Sequence, residues 1–189
     1  AGKKNSGSVN YLIASILIVF SFMTVMRNFA WKDNATLLRT DIRHSPNSAK
    51  GQNDLGTIFL EEALKTQDSI QQKVLFLEAY PHLLRALELH PTYFDAYLAT
   101  GACAYYLEQY DQSVSTYRRA ITLYPDQEKP KIGIHYALQA YGHDQWARHD
   151  TIASLAALIE AWNMKQDTAI ASALARYYLE LGQLDKTRE

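Results

Sequence analysis

Tyrosine is the residue type in this sequence with the most to offer a binding partner. Thirteen are present, and nine fall between Tyr93 and Tyr141, so the phenols are concentrated rather than scattered. Aromatic side chains bring large contact area at low entropic cost, and a phenol adds a hydrogen-bonding tip. That chemistry suits recognition. The residues that could break or make bonds are placed less well. Six histidines are spread along the chain, and His143 and His149, six apart, do not share a helix face suited to a metal. Glu61 and Glu62 are adjacent and so point different ways. There is no Gly-rich phosphate loop and no His-Glu-x-x-His. The single cysteine, Cys103, has no base beside it and no partner for an intrachain disulfide, and reads as a small packing residue. No catalytic residue, cofactor or metal ligand is expected.

Charge narrows the partner class. Residues 31–189 hold 16 basic and 20 acidic residues, a net charge of −4, which cannot neutralise a run of phosphates. Nucleic acid is not an expected partner. With 8 Gly and 5 Pro in 189 residues, the composition favours long helices over a turn-rich β fold.

The elements that would carry the tyrosines repeat. Pro91 and Pro125 lie 34 residues apart, and RALELHP (85–91) aligns with RAITLYP (119–125). A 34-residue period of helix pairs resembles the tetratricopeptide repeat, TPR. Tyr97, Thr100, Gly101 and Ala104 match the first helix of its pattern, and Ser113, Tyr117, Ala120 and Pro125 the second. The small residues let antiparallel helices approach, the large ones fill the space between pairs, and Pro125 ends the second helix. Upstream, Leu55, Gly56 and Phe59, then Ala79, Leu83, Ala86 and Pro91, fit the same pattern with 11 extra residues around 65–75. Eleven residues make about three helical turns, so added helix keeps the buried face in register. The second helix of that unit is expected to start near Ser69 and bend at Pro81. Downstream the pattern decays: a helix over 130–142 stopping at Gly142, a partner over 144–163, then a partial return in Leu174, Ala175, Tyr178 and Gly182.

Ahead of the array, Val9–Met26 runs 18 residues without a charge, which at 1.5 Å per residue is about 27 Å. Lys3 and Lys4 flank one end, Arg27 the other, and Tyr11, Phe29 and Trp31 sit where interfacial aromatics belong. A bilayer-spanning helix is the expectation, with the array on the extracytoplasmic (periplasmic or lumenal) side. The chain starts at Ala1 rather than Met and stops where a further helix is due, so a longer product is expected.

The expected fold is all-α: an N-terminal transmembrane helix followed by a right-handed TPR solenoid. Its expected parts are a flank (1–8), the membrane helix (9–29), a capping helix (30–46), unit 1 with its 11-residue insertion (47–91), unit 2 (92–125), a degenerate unit 3 (126–166) and a partial unit 4 (167–189). In TPR geometry Asn53, Thr57, Leu98, Ala102, Tyr105, Tyr106, Tyr136, Gln139 and Arg176 face the concave groove, where a protein or peptide would bind. Lys50 and Asn53 alone do not make the carboxylate-clamp set that grips chaperone tails.

The junction from the apolar helix into the array, through Arg27, Asn28, Trp31, Leu38, Pro46, Asn47, Leu55 and Gly56, resembles that of multispanning transmembrane-and-TPR O-mannosyltransferases and their bacterial relatives. That resemblance implies a lumenal or periplasmic array and catalytic residues on earlier membrane loops, none of which lies in this chain. Three functions follow as expectations: a membrane-anchored scaffold binding through its groove, the terminal TPR region of a membrane glycosyltransferase, or a packing subunit among other membrane proteins.

Overall fold

The computed structural model describes the backbone of residues 6–30 and 34–186 and the side chains of 10–25 and 36–182. Among these residues every regular element is a helix: α1 (Ser6–Ala30), α2 (Asn34–His44), α3 (Ala49–Lys65), α4 (Ser69–Leu89), α5 (Phe94–Tyr106), α6 (Tyr110–Leu123), α7 (Glu128–Ala147), α8 (Thr151–Met164) and α9 (Thr168–Lys186). They fall into two compact units, residues 1–46 and 47–189.

The first unit holds α1 and α2 and corrects the membrane expectation. Among the described residues no helix is long and apolar enough to cross a membrane. Helix α1 itself runs Ser6–Ala30, with side chains described over 10–25. Its hydroxyls bond back along the helix, Ser15 donating to the Tyr11 carbonyl and Thr24 to that of Phe20. The membrane-spanning anchor over 9–29 and the extracytoplasmic placement that rested on it therefore do not stand, and contact with lipid is not shown. Lys3, Lys4, Arg27, Phe29 and Trp31, on which the flanking and interfacial reading rests with Tyr11, lie outside the residues with described side chains.

The second unit is the array. Consecutive helices pack antiparallel in pairs, α3 on α4, α5 on α6 and α7 on α8, while α3, α5 and α7 also touch side by side. The helix starts are set by local chemistry. Ser48, Asp68 and Asp150 each accept a hydrogen bond from a backbone N–H of the turn they precede, at 2.8–3.3 Å. Such caps satisfy donors that a helix start leaves without partners. Helix α4 begins at Ser69 and carries Pro81 in its interior without ending, so the 11 extra residues lengthen α3 and α4 rather than forming a loop.

The third pair departs from the sequence reading. Helix α7 does not stop at Gly142 but runs to Ala147. It has 20 residues where α5 has 13, a difference of seven, or about two helical turns. With that shift the repeat signature is present: Gly101, Ser113, Tyr117 and Ala120 recur 41 positions on as Gly142, Ser154, Leu158 and Ala161, and the last three are buried. The turns repeat too. Glu108 N–H bonds the Tyr105 carbonyl and Gln109 N–H that of Ala104, and His149 and Asp150 repeat this on Trp146 and Gln145. Glu108 and His149 both take positive φ, 60° and 64°. This is the helix-ending turn in which a left-handed residue lets the next N–H reach back to a late carbonyl.

Glycine marks where the helices of each pair come closest. A Cβ on Gly56 would lie 2.6 Å from Leu83 Cγ, and one on Gly142 2.7 Å from Leu158 Cγ. At Gly101 it would meet the Tyr117 ring at 2.7 Å. Around these contacts sits a continuous core that includes Val114, Ile134, Leu138, Leu158, Ile170 and Tyr177.

Candidate functional site

Helices α5, α6 and α7 bring the tyrosines together. Ala102, Tyr105 and Tyr106 come from the last turns of α5, Gly133 and Tyr136 from α7, and Tyr117 from α6. These six line one open cavity of about 250 Å³. Tyr117 reaches it because two glycines leave room. Its ring tip lies between Gly101 of its own pair and Gly133 of the next, where a Cβ would come within 2.7 Å and 2.4 Å. A bulkier residue at either place would displace the ring. Burial pushes the Tyr117 phenol up to about 12, so it stays protonated and can donate a hydrogen bond.

The other rings are held to different degrees. Tyr106 stacks on Phe76 of α4 with centroids 4.9 Å apart and planes 3° from parallel. Tyr105 meets Tyr106 edge-on at 5.4 Å and Tyr110 at 5.7 Å. Tyr136 is half exposed and meets the neighbouring His135 ring edge-on at 5.4 Å. None of the four cavity phenols has a hydrogen-bond partner among the described residues.

Of the groove residues expected from sequence, Ala102, Tyr105, Tyr106 and Tyr136 line this cavity, and the rest do not. Asn53 is buried in α3, Thr57 and Gln139 are half-buried, and Leu98 packs against the core. Arg176 sits on α9 over the Tyr177 ring, 5.0 Å from its centroid and 3.8 Å from Glu180. Sequence reasoning assigned Tyr117 to packing alone and passed over Gly133. A mid-helix glycine 32 positions after Gly101 was the available signal.

A second cleft adjoins the first across Tyr136. Glu128, Lys131, Ile132, His135 and Tyr136 of α7 line it with Met164 and Lys165 at the end of α8, enclosing about 440 Å³. Lys131 pairs with Glu128 at 2.7 Å, whereas Lys165 has no ion-pair partner among the described residues. His135 is buried, and its Nδ1–H donates to the Ala161 carbonyl at 3.2 Å.

Groups that could do other chemistry are occupied or shielded. Burial pushes the Cys103 thiol up to about 12, and its Sγ lies 3.3 Å from the Phe76 carbonyl, so it is a poor nucleophile. His82 lies 2.7 Å from Gln52 Oε1 and His143 lies 2.8 Å from the Tyr177 hydroxyl.

The comparisons with known proteins agree with this architecture. A curated protein of Caenorhabditis elegans, the tetratricopeptide repeat-containing protein trd-1, is 32% identical over 48% of this chain. The match spans 14% of that protein's length. The crystal structure of TTC0263, a thermophilic TPR protein of Thermus thermophilus, superposes with a TM-score of 0.50 at 16% identity, over 83% of this chain and 77% of the other. The fold is a tetratricopeptide-like solenoid. A structure of MamA resembles the TPR-like chain more loosely, with a TM-score of 0.49, 18% identity, and 70% and 66% of the two chains covered. No protein-family model matches the chain. The Caenorhabditis elegans relative and the Thermus thermophilus structure are described as TPR proteins, and a relationship to O-mannosyltransferases is not shown by the comparisons.

Proposed function

We propose that the chain is a docking scaffold that binds a peptide or protein segment along the concave face of its helical array. The tyrosine-lined cavity between α5 and α7 carries this reading. It is open, uncharged, and lined by four phenols whose hydroxyls have no partner among the described residues. Packing alone does not require Tyr136 to stand half exposed at its edge. A surface of rigid aromatics on a helical framework binds with little ordering cost, which is how a few residues come to dominate an interface.

The test follows from how each ring is held. Tyr105 and Tyr106 also pack against neighbours, so removing them mixes binding with stability. Tyr136 is the cleaner probe. Random peptides of about twelve residues would be selected on the full chain and then measured by fluorescence anisotropy. Tyr136→Ala should weaken the selected peptides about tenfold or more, roughly 1.4 kcal/mol, with circular dichroism unchanged. Ile152→Ala, at an exposed site on α8, should leave them unaffected. Equal binding by Tyr136→Ala would remove the groove reading.

A further inference from the structure

The two clefts on either side of Tyr136 differ in chemistry. The tyrosine cavity has no acidic or basic residue in its lining, and small residues, Ala102 and Gly133, leave its space open. Its phenols have O–H donors without an acceptor among the described residues. The neighbouring cleft is part apolar, through Ile132 and Met164, and carries two lysines against one glutamate. Glu128 is already engaged by Lys131, so Lys165 is the uncompensated charge.

We propose that the groove selects an extended segment with a proline seated among the tyrosines and an acidic side chain a few residues away, paired with Lys165. This rests on the scaffold reading above and names what the scaffold would prefer. Three physical features favour proline. A neutral ring of that size suits an uncharged aromatic cavity of about 250 Å³ better than a charged or a larger side chain. Proline has no N–H, so its burial strands no donor where the lining offers no acceptor but phenol oxygen. A polyproline II segment leaves its carbonyls free of internal hydrogen bonds, so they can accept from the phenols, and it is ordered before it binds. The acidic preference follows from charge complementarity at Lys165. The two clefts share Tyr136, so an extended chain seated in one runs on into the other.

The experiment compares synthetic peptides on the full chain by fluorescence anisotropy. The probe peptide has a proline-rich stretch followed within four residues by two aspartates. One relative replaces each proline with alanine, and another replaces each aspartate with lysine. The probe should bind, and both relatives should lose at least tenfold. Lys165→Ala should erase the difference between the aspartate and lysine peptides while keeping the proline preference. Gly133→Ala, which pushes the Tyr117 ring into the cavity, should do the reverse. Equal binding of the proline and alanine peptides overturns the proposal. If library-selected peptides lacking proline bind and are lost in Tyr136→Ala while the probe does not bind, the proposal fails and the scaffold reading survives. If no peptide, selected or designed, binds in a Tyr136-dependent way, both fall.

Discussion

At the scale of single residues, glycine separates two costs that are usually confounded. Gly142 lies within α7, where alanine has the better helix propensity by about 1 kcal/mol. Its added Cβ, however, would meet Leu158 Cγ at 2.7 Å and the Ser154 carbonyl oxygen at 3.2 Å. The side chain can shift, but the backbone carbonyl yields little. Gly182 lies within α9, and a Cβ there meets nothing within 4 Å. Gly142→Ala should therefore destabilise by about 1–3 kcal/mol through overpacking. Gly182→Ala should be neutral or stabilise by up to about 1 kcal/mol. Urea denaturation of both variants measures the contrast, and equal effects would mean the close approach at Gly142 is relieved elsewhere.

At the scale of elements, the seating of α9 is the contact most open to pH. Tyr177 of α9 stacks on Trp146 of α7 at 3.8 Å, Arg176 lies over the same ring, and the Tyr177 hydroxyl meets His143 Nδ1 at 2.8 Å. Burial, and then the nearby Arg176 charge, hold His143 below the usual histidine range. A depressed histidine folds best when neutral. Its contribution is complete above the free-histidine value of about 6.5 and is lost as pH falls through the lower folded value. Amide exchange in α9, corrected for its intrinsic pH dependence, should quicken between pH 7.5 and 5 more than in α3 or α4. His143→Phe should flatten that difference. An identical pH profile in the variant would show that another group controls α9.

At the scale of the whole array, each helix pair touches mainly its neighbours, so stability should be local rather than shared evenly. Leu83 closes the α3–α4 pair and Leu158 the α7–α8 pair, and both are fully buried. Either change to alanine should cost about 2–5 kcal/mol at its own site. Leu158→Ala should raise amide exchange in α7–α9 well above that in α3–α4, and Leu83→Ala should do the opposite. Uniform loss of protection in both variants would mean the array melts as one cooperative body.

Much of this architecture was written in short-range pattern. Helical periodicity, the 34-residue spacing of Pro91 and Pro125, and the capping residues Ser48 and Asp68 are local properties, and local properties survive without knowledge of the fold. The insertion before Pro91 was legible because whole helical turns preserve the buried face. The same kind of lengthening in α7 was missed because Gly142 reads in isolation as a stop, whereas in the folded chain it is the notch that admits Leu158. The apolar run at 9–26 reads from its composition as a bilayer span, yet among the described residues no helix is long and apolar enough to cross a membrane. The cavity-lining residues divide in the same way. Of the nine residues that TPR geometry assigns to the groove, Ala102, Tyr105, Tyr106 and Tyr136 line one cavity, and Asn53, Thr57, Leu98, Gln139 and Arg176 do not. Only packing could bring Tyr117 from another helix between Gly101 and Gly133, or set Lys165 at the far side of Tyr136. Periodicity determines which residues of one helix share a face; which side chains from different helices meet depends on helix lengths and approach distances that only the tertiary structure decides.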